Sequence, residues 1–242
     1  GAERYYESLG RAWERAAWIK ARPCAGDLEA GARFQEVLRP FVWRKHLDFA
    51  AIKDAHDMRL RYREAKGLSG PITLPGHNMK LGRGGIREIE FFTQTRQIIA
   101  GGRDPDLRVR GTVPGLAVLA EKGWVPGDVA ETLTGHYRFH REIEHRMQMV
   151  QDAQTHALPV NEEGFHRLAA MTGRDLRELK ADLTARLEEV HALTEGFFAP
   201  EARAEAQVPD TLEDSPLVAR WTSYPALRSQ RAAEIFTRLR PE

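Results

Sequence analysis

The run Lys80-Leu81-Gly82-Arg83-Gly84-Gly85-Ile86-Arg87-Glu88-Ile89-Glu90-Phe91 decides how the chain is read. Its front half is rich in glycine, and its back half opens a pattern of helical period over about Ile86–Ala100. Glycines at 82, 84 and 85 free the backbone for close approach, and a helix that starts at once offers unpaired N–H groups and a positive dipole end. With the cations beside it, two readings fit. One is a phosphate cradle made of Lys80, Gly82, Arg83, Gly84 and Gly85; the other is an ordinary glycine-rich connection that caps a helix. The run is neither a Walker A loop, which ends in Gly-Lys-Ser/Thr, nor a dinucleotide fingerprint, which follows a strand.

Outward from this run the apolar spacing stays helical. Tyr5, Leu9, Trp13 and Ala16 predict one amphipathic helix over the first twenty residues, ended by Pro23 and Gly26-Asp27. A second helical stretch is predicted from about Ala30 to Lys66, bent at Pro40 and stopped by Gly67. Between Gly67 and Gly85, six glycines with Pro71 and Pro75 predict an extended connection. Further helices are predicted at about Val113–Lys122, Pro126–Gln151, Asn161–Met171, Arg174–Phe197, Leu212–Thr222 and Ser229–Arg240. Ile72-Thr73-Leu74 and Asn78–Leu81 are the only extended pieces, too short to predict a sheet. The expected fold is all-α, a helical bundle beginning near His77 with a helical arm before it.

Composition narrows the function classes. The chain has 242 residues, 42% of them hydrophobic and 29% charged, enough for one or two domains with real cores and too polar for a membrane protein. A single cysteine, Cys24, excludes an internal disulfide and any multi-cysteine metal site, so a reducing cytoplasm is the expected compartment. No stretch approaches a membrane span, and the N-terminus carries no apolar signal core. It also lacks an initiator Met, which fits a fragment of something longer. Net charge is +1 but unevenly spread: Arg33–Lys66 carries nine basic and five acidic residues, Val160–Ala206 six and ten. An anion is expected to meet the first half. No aromatic-basic repeat points to nucleic acid.

Within the helix after the glycines, Arg87, Glu90 and Gln94 have the spacing R-x-x-E-x-x-x-Q, and Arg141, Glu144 and Gln148 repeat it later. The two sets fit either a paired network between helices or two solvated faces. His136 and His140 stand at i, i+4 with Glu144 one turn on, formally a ligand spacing, but no Glu follows His136 as the zincin motif requires, and no metal site is assigned. Asp104-Pro105-Asp106 follows Gly101-Gly102 and reads as a turn. No nucleophile set can be argued from spacing, so no catalytic residue is assigned.

The central run, extended from Asn78 through Phe92 and followed by Gly101-Gly102-Arg103-Asp104-Pro105, closely resembles the bifunctional glutamine synthetase adenylyltransferase/adenylyl-removing enzymes of bacteria. Tyr5-Tyr6 through Arg15, Leu38-Arg39-Pro40-Phe41-Val42, Leu47-Asp48-Phe49 and, later, Tyr137, Arg141, Glu144, Gln148, Gln154, Thr155, Leu158 and Pro159 agree with it. The resemblance covers about Tyr5 to Pro200. It implies a division into residues 1–30, the remnant of an α/β nucleotidyltransferase domain; 31–76, a helical arm and connection; 77–200, a helical domain like that of the PII-uridylylating enzymes; and 201–242, a linker leading into a following helical region.

The Gly-Gly-Ile-Arg-Glu-Ile-Glu-Phe form is similar to the N-terminal, adenylyl-removing half of that family. The resemblance then implies phosphorolysis, in which phosphate releases AMP from adenylylated glutamine synthetase as ADP. The other half adds AMP from ATP, under control of the PII signalling protein and in the service of nitrogen assimilation. Mg²⁺ is implied for the parent enzyme, with ligands in a Gly-Ser…Asp-x-Asp motif upstream of the Tyr-Tyr segment and therefore not in this chain. The motif residues present are Lys80, Gly82, Gly84, Gly85, Arg87, Glu88 and Glu90, with Arg141 and Glu144 behind them. The loop is expected to face nucleotide or phosphate and Arg87, Glu88, Glu90, Arg141 and Glu144 to support it, while the chain alone is expected to be inactive. The reading from another class is a non-catalytic helical module that binds PII or glutamine synthetase.

Overall fold

The first twenty residues form two helices where the apolar spacing predicts one. In the computed structural model, which describes residues 2–44, 57, 60, 63, 64, 67, 68, 70–150 and 152–204, α1 spans Ala2–Ser8 and α2 spans Ala12–Ile19. The break falls at Gly10, where an added Cβ would stand 2.5 Å from the Phe41 ring. The Arg11 N–H donates to Glu14 Oε2 at 2.8 Å and so restarts the helix. The next helix, α3 (Leu28–Val42), is capped by the Asp27 carboxylate, which accepts from the Ala30 N–H at 2.8 Å, and it continues past Pro40 to Val42. The rest of the predicted stretch to Lys66 lies mostly outside the described residues, as do the predicted helices Leu212–Thr222 and Ser229–Arg240.

From Ile86 onward the predicted helices form with ends within a few residues of those read from the sequence, save the last, which runs further. They are α4 (Ile86–Ala100), α5 (Thr112–Glu121), α6 (Gly127–Met149), α7 (Glu162–Thr172) and α8 (Leu176–Ala204), with a 3₁₀ turn at Pro105–Leu107. Asn161 caps α7 through the Gly164 N–H, and Gly173 ends it with φ of 64°, the left-handed region. Among the described residues there is no strand, and the fold is all-α.

Apolar clusters among the described residues hold these helices. Ile19, Phe41, Val42 and Ile98 join α2, α3 and α4, with Tyr6, Trp18 and Trp43 against them. In the bundle, Phe139, Ile143 and Met147 of α6 meet Phe165 and Leu168 of α7 and Leu179, Leu183 and Leu187 of α8. The i, i+4 spacing of those three leucines puts them on one stripe, and each fully buried side chain contributes about 1.5–3 kcal/mol against exposure.

The short extended piece at Asn78 has a specific partner. Asn78 and Ala157 form an antiparallel bridge; the Met79 N–H donates to the His156 carbonyl and the Leu158 N–H to that of His77, both at 2.8 Å. The segment before α4 is thereby clipped to the segment after α6, with Met79 and Leu158 turned into the bundle core. The chain divides into two compact units, Gly1–Thr194 and Glu195–Glu242. Of the second, residues 195–204 are described and are helical.

Candidate functional site

The glycines are used for packing. Gly84 has φ of 68°, and a Cβ on it would lie 1.9 Å from the Leu187 carbonyl oxygen, so α8 rests directly on the loop backbone. A Cβ on Gly85 would stand 2.7 Å from Met79 O, and one on Gly82 2.6 Å from Asn78 O. The donors at the front of α4 are also engaged: Ile86 N–H to Met79 O, Arg87 N–H to Lys80 O, Glu88 N–H to Gly85 O, Gly84 N–H to Glu88 Oε2. Gly82, Gly84 and Gly85 are buried. Any anion at this loop therefore meets the side chains of Lys80 and Arg83 rather than the helix N-terminus.

Glu88, 2% exposed, is the tie of this region. Its carboxylate accepts from Arg63 at 2.7 Å, from the Gly84 N–H at 3.0 Å and from the Thr194 hydroxyl at 3.2 Å, with His191 Nδ1 at 3.4 Å. A charge buried this deeply persists only because cation and hydrogen-bond donors surround it. Behind it, His140 on α6 is fully buried; its Nε2 carries the proton and donates to Gly84 O at 3.0 Å. Burial pushes the His140 imidazole down to about 3, and also lowers His77, whose Nε2 donates to Arg83 O.

Lys80 reaches solvent by a local device. The Asn78 side chain accepts from the Lys80 and Leu81 N–H groups at 3.0 and 2.8 Å, a turn that fixes the segment while Met79 faces inward and Lys80 stands half-buried. There it lines an open pocket of about 380 Å³ with Arg141, Glu144, Gln148, Asp152, Gln154 and His156. Glu144, 1% exposed, forms the floor: Oε2 accepts from Arg141 at 2.5 Å, and Oε1 lies 2.7 Å from His156 Nδ1. Gln148 donates to Thr155 O at 3.3 Å and holds the pocket's outer rim. The Lys80 ammonium meets no carboxylate among the described residues.

The two R-x-x-E-x-x-x-Q sets thus do not join each other. Arg87 pairs with Glu90 at 3.2 Å, and Glu90 takes its second cation from Lys20 at 2.7 Å, whose ammonium also reaches the Thr112 hydroxyl. Arg141 pairs with Glu144, which takes His156. Of the ten residues singled out from the sequence, Lys80, Arg141 and Glu144 share one pocket; Gly82, Gly84, Gly85 and Glu88 form the packed loop; Arg83, Arg87 and Glu90 are elsewhere on its surface and on α4. Sequence reading missed Lys20 and His156. His156 follows α6 by several residues, and only the clip at Asn78 brings it back to Glu144.

The formal ligand spacings are engaged internally. His136 accepts from Arg186 at Nδ1 and donates from Nε2 to Glu189 at 2.8 Å. Asp104 and Asp106 both meet the Lys122 ammonium, at 3.4 and 2.7 Å, and Asp104 also caps the 3₁₀ turn. As the chain's one Asp-x-Asp, this pair does not fit a divalent cation.

The fold that carries this pocket is an all-α domain. The profile of the GlnD PII-uridylyltransferase family matches residues 54–198, and the chain belongs to that family. Its relatives include proteins named bifunctional glutamine synthetase adenylyltransferase/adenylyl-removing enzyme. The one from Rhodopseudomonas palustris is 50% identical over 206 residues, 85% of this chain and 21% of the relative. The one from Rhizobium meliloti is 46% identical over 264 aligned positions, 98% of this chain and 27% of the relative. The one from Mesorhizobium japonicum is 56% identical over 172 residues, 71% of this chain and 17% of the relative. The chain therefore spans between 17% and 27% of the length of these relatives.

Proposed function

We propose that the chain serves as the helical wall of a nucleotidyltransferase acting on glutamine synthetase, and that the pocket of Lys80, Arg141, Glu144 and His156 faces the inorganic phosphate that attacks. The reaction is removal of AMP: a phosphate oxygen attacks the phosphorus of the adenylyl-tyrosine, the bond from phosphorus to the tyrosine oxygen breaks, and ADP and unmodified glutamine synthetase leave. The parent enzyme also runs the opposing transfer from ATP, with PII biasing the two. Mg²⁺, when bound, would supply charge neutralisation at the phosphates.

One observation carries this reading. The floor carboxylate of the pocket is paired with Arg141, and Lys80, which meets no carboxylate among the described residues, is the cation open to an incoming anion, with Asp152 the one further acid on the lining. Arg141 and Glu144 hold the wall, and Gln148 fixes the rim. The relatives' printed names, which join transfer and removal of adenylyl groups to glutamine synthetase, support the substrate. The 242 residues alone are inactive in this account, because phosphoryl transfer depends on metal-held charge.

The test is Lys80→Ala in the full-length protein. Phosphorolysis of adenylylated glutamine synthetase should fall about 100- to 1,000-fold, the range for loss of one stabilising donor, with an unchanged melting temperature. Unchanged turnover with unchanged phosphate affinity would end the phosphate-facing reading. ADP release by the 242-residue chain alone would overturn the claim that it is inactive.

A further inference from the structure

A second concave surface lies on the other side of Arg141. Tyr137, Arg138, Arg141, His145, Arg146 and Met149 follow one face of α6 at successive spacings of one, three, four, one and three residues, and with Val113 of α5 they line an open groove of about 600 Å³. Its apolar part is uncovered among the described residues: Met149 is 64% exposed. Its charge is one-sided. Arg138 is exposed and meets no carboxylate among the described residues, and Arg146 reaches Glu142 only at 3.9 Å. The second guanidinium nitrogen of Arg141 donates to His145 Nε2 at 3.0 Å. Glu142 is the groove's lone acid against three arginines. Val113 sits in the first turn of α5, whose positive end adds to the same field.

We propose that this groove docks an acidic segment of a protein partner, which inserts one apolar or aromatic side chain beside Met149 and sets its carboxylates against Arg138 and Arg146. Bidentate guanidinium–carboxylate pairs give such a surface its selectivity for acids, and an apolar anchor gives it a preference over charge alone. The length fits a short peptide. From Tyr137 to Met149 the helix rises about 18 Å at 1.5 Å per residue, which five or six extended residues span at roughly 3.3 Å each. The docking is independent of the phosphate pocket proposed above except at Arg141, which belongs to both surfaces.

The experiment uses the 242-residue chain and fluorescein-labelled hexapeptides read by anisotropy at two salt concentrations. Glu-Asp-Phe-Leu-Asp-Glu should bind, and weaken several-fold as salt is raised. Arg138→Glu and Arg146→Glu should each weaken binding about tenfold, and Met149→Asp at least as much; all three sites are on the surface, and a thermal melt checks that each variant stays folded. Gln-Asn-Phe-Leu-Asn-Gln should not bind. Equal binding of Glu-Asp-Gly-Gly-Asp-Glu would show charge attraction without a groove and overturn the proposal, as would failure of the acidic peptide to bind, binding indifferent to the three variants, or tighter binding of an RNA hexamer. Lys80→Ala should leave peptide binding unchanged, so this result and that of the phosphate test can fail separately.

Discussion

Helices α4 and α6 carry the same spacing of Arg, Glu and Gln, and the protein uses it in opposite ways. On α4 almost every side chain from Ile86 to Ala100 is buried: Gln97 donates to the carbonyls of Leu107 and Val109 at 2.8 Å, Arg96 lies over the Phe92 ring, and Glu90 is tied to Lys20. On α6 the matching set borders an open pocket on one side and an open groove on the other. The intrahelical pair is common to both, since i, i+3 neighbours meet on any helix. What differs is the third partner. Lys20 comes from the end of a packed helix and closes the site around Glu90, whereas His156 comes from a loop and leaves Lys80 facing it across open space.

The sharpest way to break this contrast is to disturb what embeds α4. Gly84→Ala places a methyl group against the Leu187 carbonyl at a backbone angle that disfavours any side chain, so it should destabilise the protein by about 3–4 kcal/mol, read by urea denaturation, and reduce cooperativity around α8. A Gly84→Ala protein of normal stability would show that α8 does not rest on the loop. Next, the two glutamates can be compared directly. Glu144→Gln should cost about 2 kcal/mol, because it leaves Arg141 without its buried counter-charge; Glu90→Gln, 12% exposed with a half-exposed Lys20, should cost about 1. The reverse order would mean that the pocket side, not the packed side, is the tolerant one.

The last prediction is a pH dependence seated at the buried His140 behind the loop. His140 is held neutral in the folded protein, with its imidazole pushed to about 3 from an ordinary 6.5. Below 6.5 the unfolded chain takes up a proton that the folded protein refuses, so stability is complete above that pH and falls as pH drops toward 3, by up to about 1.4 kcal/mol per unit. His77 is shifted in the same direction and adds to the slope. Denaturant midpoints between pH 7.5 and 5 should show the decline, and His140→Gln should flatten it. An unchanged slope in that variant would place the titration elsewhere.

Helix positions were legible because α4 to α8 each bury a stripe whose period is written locally; Ile86–Ala100 is found with the ends its sequence predicts. The split between α1 and α2 was not, since it depends on Phe41 pressing on Gly10 from another helix. The candidate site was half legible. Spacing on α6 places Arg141, Glu144 and Gln148 on one face, and the Asn78 turn sets Lys80 outward. Nothing local says that Leu187 fills the space above Gly84, that Arg63 neutralises Glu88, or that His156 returns to Glu144. Glycine spacing records freedom of the backbone, and what occupies that freedom is decided by residues far along the chain.

The bridge between Asn78 and Ala157 also makes the stretch that holds α4, α5 and α6 a cassette whose two ends lie side by side. Such a cassette tolerates being cut and rejoined: new termini in the loop at Gly123, where a left-handed glycine turns between α5 and α6 with open space around it, leave both sides of the Lys80 pocket anchored to the same two-residue clip. The pocket is thus carried by the fastening rather than by the continuity of the chain that passes through it.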